Sequence, residues 1–190
     1  AEHTVEGGNN VGQSPSDLHN KLSRSVEYRM RFADIIQRNF FHGGPLSYPA
    51  CADLYKLRMD QVDRAIVGES ARWGDNQQTS PHTRQDWLNT QNNKLTGFFP
   101  SRPGQVLGWL RTATLYPTID APQFLVNGAS RHGGHIAATD FLTVTSGAGI
   151  VYYTLDGADP RLPGGALDSA RAQRAATAIR LAQSSHVKAR

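Results

Sequence analysis

Two short motifs in this chain contain residue types that could bind a metal or move a proton. His132-Gly133-Gly134-His135 brings two imidazoles close together, but no cysteine or acidic cluster accompanies them, and a glycine-rich loop holds ligands poorly. Asp156 and Asp159 could work as an acid and a base, or bind Ca²⁺. Aspartates in such a turn typically accept backbone N–H bonds, and Asp-Pro favours turn initiation. The sequence therefore favours a structural role for the two aspartates over a metal site or an acid–base pair, and it disfavours a metal site at the two histidines. Arg161 could pair with either acid across the turn.

Phosphoryl transfer would need a phosphate-binding loop, a lysine and acidic metal ligands. Neither Gly-x-x-x-x-Gly-Lys nor Gly-x-Gly-x-x-Gly occurs in the sequence. Gly147-Ala148-Gly149 is typical of a tight link between strands, and no serine, histidine and acid are arranged as in a nucleophilic motif. These observations predict that the chain is not itself an active enzyme.

Aromatic side chains are the other candidates for ligand contact, because they can stack on sugar rings. Trp73, Trp87 and Trp109 fall on predicted helices or helix ends, where a buried role is the more common one. Tyr152 and Tyr153 are adjacent on a predicted strand and must point to opposite faces. We expect one tyrosine to lie in the core and the other to be available to a ligand.

Helical periodicity dominates the chain up to about Pro117. The first apolar stripe follows Pro15, with Ser16 or Asp17 as the N-cap, and runs from Leu18 to Ile36. A second helix is predicted after Tyr48-Pro49, with these residues facing inward: Leu54, Leu57, Val62, Ala65 and Ile66. A third starts at Thr83, with Asp86 three residues on as in a capping box, and Phe98-Phe99-Pro100 should end it. The last helix has these apolar positions: Val106, Leu107, Leu110 and Leu115.

Strand-like patterns follow the proline-containing connection Tyr116–Pro122. Alternation predicts one strand over Phe141–Thr145 and β-propensity predicts another over Ile150–Thr154, followed by an Asp-Gly turn. A short final strand is expected over His186–Arg190. The segment 166–182 reads as helix by composition alone and as a loop followed by a strand by the resemblance given below, and we favour the loop.

Composition excludes several classes of protein. The net charge is +4, yet the basic residues are scattered rather than clustered, so we expect no nucleic-acid partner. Cys51 is the single cysteine, which rules out a disulfide within the chain and predicts a small buried side chain. No apolar run approaches the ~20 residues of a membrane-spanning helix.

Several blocks of sequence resemble known families. Tyr28–Asp34, Phe40–Leu46 and Glu69–Asp75 together resemble the C-terminal part of CotH-kinase-like proteins of large secreted bacterial polypeptides. Tyr152–Arg161 resembles the module at the C-terminus of chitobiases and hexosaminidases, a fibronectin- or immunoglobulin-like β-sandwich. The resemblance implies an α+β chain, with a helical portion in 1–118 and a small antiparallel β-sandwich in 119–190.

The resemblance also implies a functional context. The nucleotide pocket and catalytic acid of the kinase-like family precede the matched part, and only Glu2 could be a remnant of its late acidic motif at a metal site. We therefore expect no catalytic residue and no cofactor in this chain, and ATP with Mg²⁺ only for a complete parent kinase. The expected partners are other domains of the same polypeptide, with a polysaccharide or protein surface as the alternative through Tyr152 or Tyr153. The expected location is secreted or on the bacterial cell surface, and the strand at Arg190 is expected to be cut short, so that added native residues would stabilise the module.

Overall fold

Helices and strands occupy separate stretches of the chain. The structure, a computed structural model, describes residues 14–76 and 79–190. Helices account for 45% of it and strands for 13%. The helices are α1 Pro15–Leu22, α2 Val26–Phe40, α3 Tyr48–Trp73, α4 Arg84–Asn93, a π-helical turn Lys94–Phe98, and α5 Phe99–Thr112. The strands are β1 Gln123–Val126, β2 Ala129–Ser130, β3 Leu142–Thr145, β4 Tyr152–Thr154, β5 Gln173–Arg174 and β6 Lys188–Ala189.

The chain divides into two compact units. In the described residues, unit 1 combines residues 14–34 with Ala113–Arg190, and unit 2 is Ile35–Thr112. The first nine residues of α2 therefore belong with the strands. No helix among the described residues has both the length and the apolar character needed to cross a membrane.

The start of unit 1 differs from the sequence-based expectation. Ser14, not Ser16 or Asp17, caps α1, because its Oγ accepts a 3.2 Å hydrogen bond from the N–H of Asp17. The expected continuous helix is also interrupted between α1 and α2. Ser23 Oγ donates to the carbonyl of Asn20, a local side-chain bond that competes with helical hydrogen bonding. The predicted stripe is therefore divided between two helices.

The strands of unit 1 form two small antiparallel sheets. The first has the order β2-β1-β3, with Phe124 opposite Val144. Its hairpin turns at Asn127-Gly128, where φ is +50° and +84°, as a two-residue turn of this type requires. Asn127 also holds the loop that enters β3: its side-chain nitrogen donates to Asp140 and its oxygen accepts from the N–H of Phe141.

The second sheet has the order β5-β4-β6. Tyr153 lies opposite Gln173 on one side and Ala189 on the other. The pairing continues past β6, because Tyr152 and Arg190 exchange two backbone hydrogen bonds of 2.9 Å. The strands predicted at 141–145, 150–154 and 186–190 are thus all present in shortened form. Segment 166–182 is loop with β5 inside it and contains no helix, which confirms the loop interpretation.

One hydrophobic core contains residues from both sheets. Leu142 and Val144 come from β3, Tyr153 comes from β4, and Val151 immediately precedes it. Ile179 joins them from the long loop, where it exchanges backbone hydrogen bonds with Leu142. The shared core explains why such short strands remain paired: burial of the large apolar side chains provides stabilisation that isolated two- to four-residue strands lack.

In unit 2, α4 begins as predicted. The Thr83 side chain accepts from the N–H of Asp86, and the Asp86 carboxylate accepts from the N–H of Thr83, which is a complete capping box. The predicted break at Phe98-Phe99-Pro100 is wrong. The π-helical turn leads directly into α5, and Pro100 lies in the first turn of α5, where a missing N–H is tolerated.

The inward face predicted for α3 is also largely wrong. Leu54, Leu57 and Val62 are exposed, and Met59 is the buried residue of this helix. The packed face instead contains Tyr55, whose hydroxyl donates to Gln91 of α4 and whose ring lies 4.9 Å from that of Phe99. The helix therefore has one face that α4 and α5 contact, and several of its apolar residues are exposed on its other faces.

Candidate functional site

The two tyrosines of β4 occupy opposite faces of their strand. Tyr153 is 6% exposed in the core, and its hydroxyl donates to Gln173 at 2.9 Å. Tyr152 is partly exposed and lies opposite Arg174, an exposed residue of β5. Of the two candidate ligand-contact residues, Tyr153 therefore lies in the core, and Tyr152 is the one whose side chain is partly exposed to solvent.

The turn after β4 uses its aspartates as the sequence predicts. Asp156 accepts from the N–H of Ala158, and Asp159 accepts from the N–H of Arg161 at 3.1 Å. Gly157, with φ +80°, is required here because an added Cβ would lie 2.6 Å from His186 Nδ1. Both carboxylates therefore accept hydrogen bonds from backbone N–H groups of the turn itself.

Asp159 also belongs to a cluster of four charged side chains in unit 1, which we call the Arg190 cluster. Arg190 donates to both oxygens of Asp34 at 2.6 Å and to Asp159 at 2.8 and 3.2 Å. Lys188 lies 3.2 Å from Asp159 and 3.8 Å from Asp34. The cluster thus joins α2 to β6 and to the turn after β4.

A second ion pair joins α2 to the same part of unit 1. Arg161 donates to the Glu27 carboxylate at 2.7 and 3.1 Å, and the N–H of Gly164 adds a third bond at 2.9 Å. The sequence left open a pairing of Arg161 with Asp156 or Asp159, and the structure instead pairs it with Glu27. The Arg161 side chain extends to α2, and Asp159 in the turn pairs with Arg190.

These contacts set the charge states of the groups involved. Burial alone would raise the pKa of Asp159, but the hydrogen bonds from Arg190, the N–H of Arg161 and Lys188 lower it to about 2. Burial would lower the pKa of Arg190, whereas its bonds to Asp34 and Asp159 raise it above the ordinary arginine value. The hydrogen bond from Arg161 lowers the pKa of Glu27. Asp159, Glu27 and Arg190 are therefore charged at neutral pH.

The remaining candidate residues are dispersed. His132 lies edge-on to Phe124 at 5.3 Å, and no group of three or more metal-ligating side chains occurs in the described part of the chain. Glu2 lies outside the described residues. Cys51 is partly exposed rather than buried.

The tryptophans do not share the buried role predicted for them. Trp73 is 52% exposed, with the guanidinium of Arg72 over its ring at 4.9 Å. Trp87 and Trp109 are half-buried, and Arg102 lies 4.7 Å over the Trp109 ring. The cation–π contacts cover part of each exposed ring with residues of the same helix or helix end.

Sequence patterns did not reveal the ion pairs between α2 and the strand region. Glu27 and Arg161 are 134 positions apart, and Asp34 and Arg190 are 156 apart, so no local motif contains both partners. The available signal was the spacing of Glu27 and Asp34, which places them two turns apart on one face of a helix.

No protein family, curated protein or solved structure matches the chain.

Proposed function

We propose that this chain is a non-catalytic structural part of a secreted bacterial multidomain protein resembling the CotH-kinase-like family. In this proposal residues 1–118 are the helical end of the kinase-like domain and 119–190 are a chitobiase-type β-sandwich module. The Tyr152–Arg161 block, which carries the second resemblance, forms β4 and the turn after it. Two three-stranded sheets that contribute to one core support the sandwich architecture.

The observation that carries the structural role is the use of charge in unit 1. A catalytic site directs charged groups towards a substrate, and their pKa values are matched to proton transfer near neutral pH. In the Arg190 cluster and the Glu27–Arg161 pair, three carboxylates instead form ion pairs with three cationic side chains. Such an arrangement holds a helix in place and leaves no poised acid or base within the set.

An ATP hydrolysis assay with Mg²⁺ or Mn²⁺ tests this proposal. We expect no turnover above that of buffer, and the Asp34→Asn variant should behave like the unchanged chain. Turnover that survives Glu2→Ala would overturn the proposal, and its loss in Asp34→Asn would assign the catalysis to the Arg190 cluster. The competing enzyme hypothesis, in which the chain belongs to an ATP- and Mg²⁺-dependent secreted kinase, requires a nucleotide pocket in sequence preceding Ala1.

Tyr152 supports a second candidate function, weak binding of a polysaccharide. Its ring is partly exposed on the sheet face opposite the core, beside Arg174. One aromatic platform supports dissociation constants in the millimolar to high-micromolar range, roughly 4–6 kcal/mol. Pull-down on chitin, cellulose and peptidoglycan should retain the unchanged chain and lose Tyr152→Ala, whereas Tyr48→Ala, which removes an exposed tyrosine from α3, should still be retained. Equal retention of both variants would refute a role for Tyr152.

A further inference from the structure

The basic side of the ion pairs has features of a recognition surface for a helix that carries two carboxylates. It consists of Arg161, the N–H of Gly164, Lys188 and Arg190, and we call it the carboxylate-binding surface. Both arginines bind their carboxylates through two parallel N–H bonds, the geometry that gives guanidinium its selectivity for planar anions. Gly164 adds a backbone donor at a φ of +92°. Two carboxylates are thus bound separately on one surface.

The spacing of the two bound carboxylates is that of a helix. Glu27 and Asp34 are seven residues apart, so they lie two turns apart on one face of α2. Charge is matched at the points of contact: the surface and its neighbour Asp159 have an excess of two positive charges, and the helix contributes two carboxylates. The match is local, because Arg29, Arg31 and Arg38 outnumber the two acids of α2 and give the helix a net charge of +1. Arg31, between the two acids in sequence, is exposed.

Between residues 26 and 34, one apolar side chain is buried and the others are half-buried or exposed. Ala33 is the buried residue of α2, and Val26 is exposed. Tyr28 and Phe32 pack on His19 of α1. The ion pairs of Glu27 and Asp34 with the strand region are partly exposed, and ion pairs of this kind are weakened by salt.

We propose that the carboxylate-binding surface recognises a helix with two carboxylates seven residues apart, that α2 is its resident occupant, and that the α2 sequence supplied on a separate peptide can take its place. This inference rests on the proposed structural role, in which the ion pairs hold α2 in place. It specifies the surface and the chemistry of the partner. The ATP assay above does not measure it, so the two proposals can fail separately.

The test uses a fluorescein-labelled peptide of residues Arg24–Phe40 and the full chain with Glu27→Gln and Asp34→Asn, which frees the surface of its own carboxylates. We expect the peptide to bind this variant at least about tenfold more tightly than a peptide with Gln and Asn at the same two positions. Raising NaCl from about 50 mM to about 500 mM should reduce this difference in affinity severalfold, because screening weakens the bonds to the two carboxylates. Adding Arg161→Gln and Arg190→Gln to the chain should abolish it, and Arg171→Gln should not. Equal affinity for the peptide with Gln and Asn, no effect of salt on the difference between the two peptides, or no binding to the folded variant would overturn the proposal.

Hydrogen exchange on the unchanged chain decides the matter if the variant does not fold. Electrostatic docking predicts that the amides of residues 26–34 exchange at least about threefold faster in high salt, because screening weakens the bonds to Glu27 and Asp34. The amides of β4, which lie in the apolar core, should exchange at an unchanged rate. Equal rates for residues 26–34 in low and high salt would contradict the inference.

Discussion

Arg190 donates hydrogen bonds to two carboxylates, those of Asp34 and Asp159, which are far apart in sequence. Replacing it by glutamine leaves both acids beside a single lysine, Lys188, at longer distances. The Arg190 side chain is 22% exposed, so its contribution should lie between those of exposed and fully buried pairs. We expect Arg190→Gln to lower the free energy of unfolding by about 1–2 kcal/mol, measured by urea denaturation.

Arg171→Gln is the matched control for this change. Arg171 is 60% exposed and its nearest contact with Asp168 is 4.0 Å, so its loss should change stability by less than about 0.5 kcal/mol. Equal effects of the two substitutions would mean that the Arg190 cluster contributes no more than an ordinary surface pair.

The lowered pKa of Asp159 makes the free energy of unfolding of unit 1 depend on pH in the acidic range. Its pKa falls from the ordinary 3.8 to about 2 in the folded chain, so the unfolded chain takes up a proton first as the pH decreases. The stabilisation is fully present above about pH 4 and is lost as the pH falls towards 2. Asp159→Asn should therefore be less stable than the unchanged chain at neutral pH and lose less stability over this interval. Denaturation midpoints between pH 2 and 7 measure this, with Asp60→Asn, an exposed carboxylate of α3, as the control.

At the scale of elements, two glycines of unit 2 should respond in opposite directions to the same substitution. Gly68 lies inside α3, and an added Cβ meets nothing within 4 Å. Gly68→Ala should stabilise the chain by about 0.5–1 kcal/mol, because alanine is the better helix former. At Gly44 the added Cβ would lie 2.3 Å from the carbonyl oxygen of Arg38 and 2.5 Å from that of Asn39. Gly44→Ala should therefore lower the melting temperature, and a stabilising Gly44→Ala would show that this loop does not pack as described.

The elements that the sequence predicted well are those whose signals are local. Thr83 and Asp86 satisfy each other's backbone groups within one turn, so the start of α4 could be read directly. The Asp-Gly turn after β4 was predictable for the same reason, since Gly157 alone supplies the positive φ. The loop interpretation of 166–182 needed more, because its alanines favour a helix and the pairing of Ile179 with Leu142 overrides them.

The elements that the sequence predicted poorly depend on what packs against them. Leu54 and Leu57 follow helical spacing, yet α4 and α5 contact the face with Tyr55 and Met59 instead. The ion pairs of Glu27 and Asp34 depend on a fold that brings together residues from both ends of the chain. Hydrophobic periodicity carries no information about either choice, because it identifies an apolar face but not the partner that covers it.

At the scale of the whole chain, more large apolar side chains are exposed than buried among the described residues. Leu54 and Leu57 are 56% and 51% exposed, one turn apart on α3. Exposed apolar side chains close together favour association, so the chain should self-associate as its concentration rises. Sedimentation velocity should show this, and Leu54→Glu with Leu57→Glu should reduce it while changing stability by less than about 0.5 kcal/mol.

Arg58→Glu is the control for this double substitution. It changes the net charge by the same amount on the same helix and leaves both leucines in place. If Arg58→Glu reduces association equally, charge repulsion rather than apolar contact is responsible, and the two leucines have no special role.

The Asn127-Gly128 turn of the first hairpin bears on how the protein ages. Asparagine before glycine loses ammonia when the glycine nitrogen attacks its side-chain carbonyl carbon, and hydrolysis of the ring leaves an acid. The hydrogen bonds from Asn127 to Asp140 and from Phe141 to Asn127 hold the carboxamide in place, so the folded hairpin protects it. Once deamidation has occurred, the new carboxylate cannot donate to Asp140 and repels it. We therefore expect each molecule that deamidates while the hairpin is open to lose the contact that would close it again, so that the deamidated fraction rises during storage.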